Sequence, residues 1–236
     1  AYSSVSHLGF CMLGLFAFNP LGVQGSVLQM VNHGISTGGL FALVGMLYER
    51  YHTRQIADYG GLARRMPILA FFMLLFTFSS IGLPGLNGFA GEFLILLGAF
   101  QRAWTGAPAG LQNQYVWIAV LSVFGVVLGA WYMLNLVRRV FFGPLKEPSV
   151  EHGHGEVHDL NLREILALAP LVVLMFWIGL KPKDFLERIE PSVAVATEQV
   201  QTMLAAHEKP TPELRVAEAS NLKHQIPNND QVFNSE

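Results

Sequence analysis

Residues 68–100, ILAFFMLLFTFSSIGLPGLNGFAGEFLILLGAF, decide how the chain is read. The stretch is too long for one straight crossing of a bilayer core of about 30 Å, which takes roughly 20 helical residues. It is also cut by Gly82-Leu83-Pro84-Gly85-Leu86-Asn87-Gly88. Two topologies compete for it: two separate short helices, or one interrupted crossing built of two half-helices. Pro84 lacks an amide hydrogen, and Gly82, Gly85 and Gly88 permit non-helical backbone. Backbone freed at membrane depth is tolerated only where it is buried in protein or lines a hydrated cavity. Asn87 is positioned as the N-cap of the second half.

Outward from this stretch lie four more apolar runs, at about 2–18, 27–47, 115–137 and 160–180. Their flanking charges choose between the topologies. Lys and Arg number none between the first two runs and four in the next connection (Arg50, Arg54, Arg64, Arg65). The following connections hold one (Arg102) and, with the Arg163/Glu164 turn at the head of the last run counted as its flank, four (Arg138, Arg139, Lys146, Arg163). A single interrupted crossing puts both rich loops on one side, as the positive-inside rule requires, whereas two crossings erase the bias. The expectation is therefore an all-α, polytopic transmembrane helix bundle over 1–180, with five crossings and the run 68–100 discontinuous at 84–85. The second and fourth loops are then cytoplasmic.

Composition agrees with a membrane body. Of 236 residues, 52% are hydrophobic and 14% charged, against about 25% charged in soluble domains. Residues 1–48 contain no Lys, Arg, Asp or Glu, whereas 181–236 hold six basic and nine acidic residues. Within that polar end, 181–206 has the periodicity of an amphipathic helix, and 207–236 reads as a disordered polar tail. The chain opens on Ala-Tyr-Ser-Ser with no basic segment before its first apolar run, which reads as part of a longer protein. A net charge of −2 offers no electropositive footprint for nucleic acid. The lone Cys11 excludes an internal disulfide and any multi-cysteine metal or iron–sulfur site.

Glu92 is the only ionisable side chain between Met66 and Gln101. At mid-membrane such a group costs on the order of 2.5–3.5 kcal/mol and marks an ion or proton path by default; the competing reading is an interfacial glutamate. His7 and His33 each lie among hydroxyl residues, in SSVSH and NHGISTGG. A histidine relays a proton through its two ring nitrogens; the competing reading is a buried histidine satisfied by a serine. The pairs Gly34/Gly38 and Gly125/Gly129 have the spacing of close helix packing. His152, His154 and His158, in a Gly-containing loop, form a weak metal signal. No nucleotide or flavin fingerprint occurs.

The runs AYSSVSHLGF, QMVNHGISTGGLFALVGMLYERYHTR and GLPGLNGFAGEFLILLGAFQ resemble the antiporter-like subunit M family of bacterial NADH:quinone oxidoreductase, respiratory complex I. The resemblance runs from Ala1 to about Leu180. It implies the second of two inverted repeats, each with one broken helix. It assigns Glu92 to the carboxylate of the second broken helix, where the related L and N subunits usually carry lysine, and His33 and His7 to central polar positions. The family's first-repeat glutamate and lysines have no counterpart here. Also implied are proton translocation coupled to electron transfer, and neighbouring antiporter-like subunits L and N. NAD, FMN and iron–sulfur clusters are expected on partner subunits, quinone elsewhere in the complex, and a bacterial inner-membrane location. An Mrp-type cation/proton antiporter or membrane-bound hydrogenase subunit is the alternative, and a non-conducting membrane scaffold a third reading.

Overall fold

The computed structural model describes residues 2–108, 110–148 and 157–208. These form α1 (Tyr2–Leu15), α2 (Pro20–Tyr51), α3 (Pro67–Ser80), α4 (Asn87–Thr105), α5 (Gln112–Phe141), α6 (Leu162–Leu180) and α7 (Lys183–Glu208). No strand is formed among the described residues. The chain divides at Thr197; of the unit beyond it, the structure describes only helical residues 198–208. The tail expected at 207–236 lies outside the described residues from 209 onward.

Helix α2 is the axis of the bundle, and it settles how α3 and α4 are arranged. Gly22 abuts Gly98, Gly25 abuts Leu94 and Ile95, and Gln29 lies against Gly91. Asn32 then bonds Asn87, Ser36 bonds Ser79, and Gly39 abuts Phe76. Partner numbers fall steadily as α2 is ascended, so α4 and α3 follow one another along a single antiparallel partner. They are the two halves of one discontinuous helix. Two helices folded back on each other would not give one monotonic series.

The break contains the 84–85 of the sequence expectation but begins before it. It spans 81–86, and the residue that ends α3 is Gly82, in the left-handed region with φ +72°. The amide of Gly82 donates to the Ser79 carbonyl (3.3 Å) and that of Leu83 to the Phe78 carbonyl (3.0 Å). This is the Schellman closure that a glycine past the last helical residue permits. Pro84 lies beyond a helix already stopped, and Gly85, at φ +94°, turns the chain toward α4. Asn87 is not the N-cap: Leu86 holds that position without a side-chain bond, and Asn87 is the first helical residue.

Helix α2 also starts earlier than the apolar run at 27–47. Asn19 accepts from the Gly22 amide (2.9 Å) and donates to the Gly98 carbonyl (2.8 Å), and Pro20 opens the helix. Small and polar residues in its first turns keep a hydropathy window from including them. Of the glycine pairs singled out by spacing, only Gly125 lies at a close helix contact, where a Cβ would stand 3.3 Å from the Phe10 ring of α1; Gly34, Gly38 and Gly129 have no atom of the described residues within 4 Å of that position. A fixed interval identifies a face, not whether that face is covered.

The apolar core lies between the break and the far end of α2, where Leu43, Leu47, Leu69, Phe76, Phe141 and Leu168 are buried. Its end is closed by Arg50, which forks onto both carboxylate oxygens of Glu164 (3.0 and 2.8 Å) and donates to the His158 and Asp159 carbonyls. Asp159 in turn caps α3, accepting from the amides of Ile68 (2.7 Å) and Leu69 (3.0 Å). Asn161 and Glu164 form a capping box on α6. From there α6 runs to the break, where Gly179 lies against Gly85 and Leu86. The helices α2, α5 and α6 have the length and hydropathy of membrane spans, and the protein is a multi-pass membrane protein.

Candidate functional site

Four helices meet at the break. α1 brings His7; α2 brings Gln29, Asn32, His33 and Ser36; α3 ends in Ser79 and Ser80; α4 begins with Asn87 and carries Glu92 at its sixth residue. All but His33 are buried. Each of these side chains has at least one hydrogen-bond partner on another helix, as buried polar residues generally do, with His7 Nδ1 and Asn32 Oδ1 left without one among the described residues.

The break is pinned by a hydrogen-bonded ring. The Asn87 amide nitrogen donates to the Ser36 hydroxyl (3.4 Å), Ser36 shares a bond with Ser79 (2.6 Å), and Ser79 donates to Asn87 Oδ1 (2.5 Å). Because Ser79 donates to Asn87, the Ser36 hydroxyl is the donor to Ser79, and the ring closes with every donor pointing the same way. Such closed chains reinforce each bond. Asn32 adds a bond to the Asn87 carbonyl (2.7 Å). One α2 face thus fixes both ends of the interruption.

Below this ring sits the carboxylate. Glu92 is 6% exposed. Its Oε1 accepts from the Gln29 amide (3.3 Å) and stands 3.4 Å from His7 Nδ1. That second approach is not an aligned hydrogen bond, and His7 Nδ1 has no other partner among the described residues. Glu92 Oε2 points at the break: a Cβ on Gly82 would lie 2.5 Å from it. Glycine at 82 therefore serves twice, closing α3 and leaving room for the carboxylate.

His7 continues the row. Its Nε2 lies 3.3 Å from the Ser80 hydroxyl, and its ring centroid is 5.0 Å from that of His33. His33 bonds Ser4 through Nε2 (3.1 Å) and Thr37 through Nδ1 (3.1 Å). A cavity of about 10 Å³ between His7, His33, Asn32, Ser36, Ser79 and Ser80 is of the size that holds about one water molecule. The structure thus places Glu92, His7 and His33 in one row, with exchangeable protons or lone pairs at each step. Each of the three groups can take up or give up a proton or share one through a hydrogen bond.

The hydroxyl partners differ from the sequence expectation, which places them within a turn of each histidine. Thr37 is such a neighbour of His33, but Ser4 comes from α1, and His7 takes Ser80 from α3. Gln29 and Asn32 join the site without standing out among the candidate residues of the sequence. Their signal is a fainter one: Gln29, Asn32 and Ser36 repeat at helical spacing in a span with no charge, a polar stripe on one face.

Among the described residues no cluster of three or more His, Cys, Asp or Glu side chains is gathered as a metal site. His152 and His154 lie outside the described residues. His158 is exposed, and its carbonyl serves Arg50.

Residues 1–129 match the family described as NADH:quinone oxidoreductase/Mrp antiporter, transmembrane. NADH-quinone oxidoreductase subunit M of Rhodobacter capsulatus is 44% identical over 194 residues, which cover 82% of this chain and 35% of that one. NADH-ubiquinone oxidoreductase chain 4 of Marchantia polymorpha is 43% identical, covering 82% and 36%. The chain therefore spans about a third of the length of the relatives it matches. Among solved structures, a chain of respiratory complex I from Thermus thermophilus with bound NADH aligns with a TM-score of 0.68 at 35% identity, over 84% of this chain and 38% of that one. A chain of the Mrp complex from Dietzia sp. DQ12-45-1b has the same TM-score at 20% identity, over 82% and 41%; this second likeness is one of fold. With a family profile covering more than half its length and the same bundle in a relative, the chain belongs to the NADH:quinone oxidoreductase/Mrp antiporter transmembrane family.

Proposed function

We propose that this chain is the second-repeat portion of a subunit M-type membrane module of NADH:quinone oxidoreductase, and that it moves protons as electrons pass from NADH to quinone. The observation that carries the proposal is the buried row itself: Glu92 Oε1 stands 3.4 Å from His7 Nδ1, and His7 stacks beside His33 at 5.0 Å, at the interruption of a discontinuous helix. Glu92 takes and releases the proton. His7 passes it by rotating between Glu92 and Ser80, and His33 hands it on toward Ser4 and Thr37. The Asn87–Ser36–Ser79 ring and Gln29 position the carboxylate without titrating.

In this reading the chain holds no redox cofactor. NAD, FMN and iron–sulfur clusters belong to partner subunits and quinone to another part of the assembly. Neighbouring antiporter-like subunits L and N flank the module in a bacterial inner membrane, crossed five times with the Arg50–Arg65 and Arg138–Arg163 connections in the cytoplasm. The same fold in an Mrp complex supplies the rival reading of an ion-gradient-driven antiporter or hydrogenase subunit. Purification from native membranes in mild detergent separates them. Flavin and iron–sulfur subunits that co-purify with NADH oxidation support the proposal, whereas an assembly of antiporter-like chains alone overturns it.

A further inference from the structure

At the end of the bundle opposite Arg50, the C-terminal turns of α1 and α4 and the first turns of α5 enclose a cavity of about 340 Å³. That lies in the range of about 300–1,000 Å³ typical of ligand pockets. Phe16, Ala17, Ala99 and Ile118 form apolar walls, and Arg102 and Tyr115 bring polar atoms. The level in the membrane is marked by Trp104 and Trp117, both largely exposed, as aromatic side chains are at the boundary between head groups and hydrocarbon.

Arg102 is the unusual member. A guanidinium stays ionised in proteins, yet among the described residues Arg102 enters no ion pair. Its Nε is buried without a hydrogen-bond partner among the described residues, and the guanidinium carbon lies over the Tyr115 ring, 5.9 Å from its centroid. The walls cannot supply the missing anion. Residues 1–48 contain no acidic side chain, and none occurs from Phe93 through Lys146. Glu92, ten residues back along α4, is about 15 Å distant at 1.5 Å per residue. Arg102 is also the only charged residue of its connection, on the side where the positive-inside rule does not call for a cation. The helix dipole at the end of α4 accounts for tolerance of a cation, not for a buried donor beside an apolar cavity.

We infer that this cavity binds an anionic phospholipid, with an acyl chain between Phe16, Ala17, Ala99 and Ile118 and the phosphate on the Arg102 guanidinium. The inference is independent of the proton row, which lies at the break. A zwitterionic lipid would bring its own cation to a site that already holds an unpaired one, so the preference is for net negative charge.

The test uses the full chain in nanodiscs of phosphatidylcholine doped with a diazirine-tagged acyl probe, either phosphatidylglycerol or phosphatidylcholine. Photolabelling of residues 13–18 and 111–118 is mapped by mass spectrometry. The phosphatidylglycerol probe is expected to label these segments about fivefold more than phosphatidylcholine, the equivalent of about 1 kcal/mol for one cation near anionic lipid. Arg102→Gln should erase that preference and Arg102→Lys should keep most of it. Equal labelling by both probes in the unaltered chain overturns the inference, whatever the variants do. So does an Arg102→Gln chain that keeps the preference, or displacement of the probe by millimolar inorganic phosphate, which would mark a free-anion site. Absence of labelling in the native assembly would show a protein neighbour in the cavity and overturn it likewise.

Discussion

At Gly82 one hydrogen in place of a side chain does two jobs. It lets the backbone adopt φ +72° and leaves 2.5 Å between an imagined Cβ and Glu92 Oε2. Gly82→Ala therefore meets a left-handed penalty of about 1–2 kcal/mol and pushes the carboxylate away from the break. The expected outcome is an assembled enzyme with near-normal electron transfer and proton uptake lowered several-fold, measured by a pH-sensitive dye in vesicles; unaltered uptake would show that the orientation of Glu92 is not critical. At this scale the sequence is informative where residue type alone is costly. A carboxylate or imidazole in a run otherwise free of charge is conspicuous, so Glu92, His7 and His33 can be picked out. Gln29, Asn32, Ser36 and Ser79 cost less to bury and read as ordinary helix residues. Their role becomes visible only when α2 is laid beside the break and each amide and hydroxyl is followed to its partner.

Among the elements, the discontinuous helix is legible because its interruption is written in glycine and proline, and because loop charges favour one crossing over two. What ends α3 is not legible. Pro84 is the stronger signal in the sequence, but the Schellman closure at Gly82 acts first, and only the amide-to-carbonyl pattern of Leu83 and Gly82 distinguishes them. The opposite end of α3 depends on Asp159, some ninety residues away, and no local rule would pair them. Arg50 and Glu164 hold this end together with side chains 14% and 8% exposed. Arg50→Leu leaves the carboxylate buried and unpaired, a loss of about 3–5 kcal/mol for a broken buried pair. It should lower the thermal unfolding midpoint in detergent by several degrees. Replacing both partners, Arg50→Leu with Glu164→Leu, should recover a large part of that loss. A double variant no more stable than the single one would mean that Arg50 acts through the His158 and Asp159 carbonyls instead.

For the molecule in its membrane, the loop charges assign the Arg50–Arg65 connection to one face and the α4–α5 connection to the other. Single cysteines report this in a Cys11→Ser background. Gln55 and Gln112 are exposed and suit the purpose; Gly60, in the same loop as Gln55, is buried and paired with Lys146 through both backbone groups (3.0 and 2.8 Å). An impermeant maleimide should reach the thiol of the Gln55→Cys variant only from the cytoplasmic face and that of the Gln112→Cys variant only from the other. Labelling of both variants from one face would return the two-helix topology. In the proposed function, proton transfer between those faces depends on Glu92. Glu92→Gln keeps the size of the side chain and its bond with Gln29 while removing titration, and it should leave the assembly and its subunit composition intact. The decisive quantity is the number of protons translocated per electron in reconstituted vesicles, with NADH oxidation and proton uptake followed together. Glu92→Gln is expected to abolish or greatly reduce translocation, with His33→Ala less severe because water can bridge one lost relay. A fully assembled Glu92→Gln enzyme with the unaltered proton-to-electron ratio would contradict a proton path through the row.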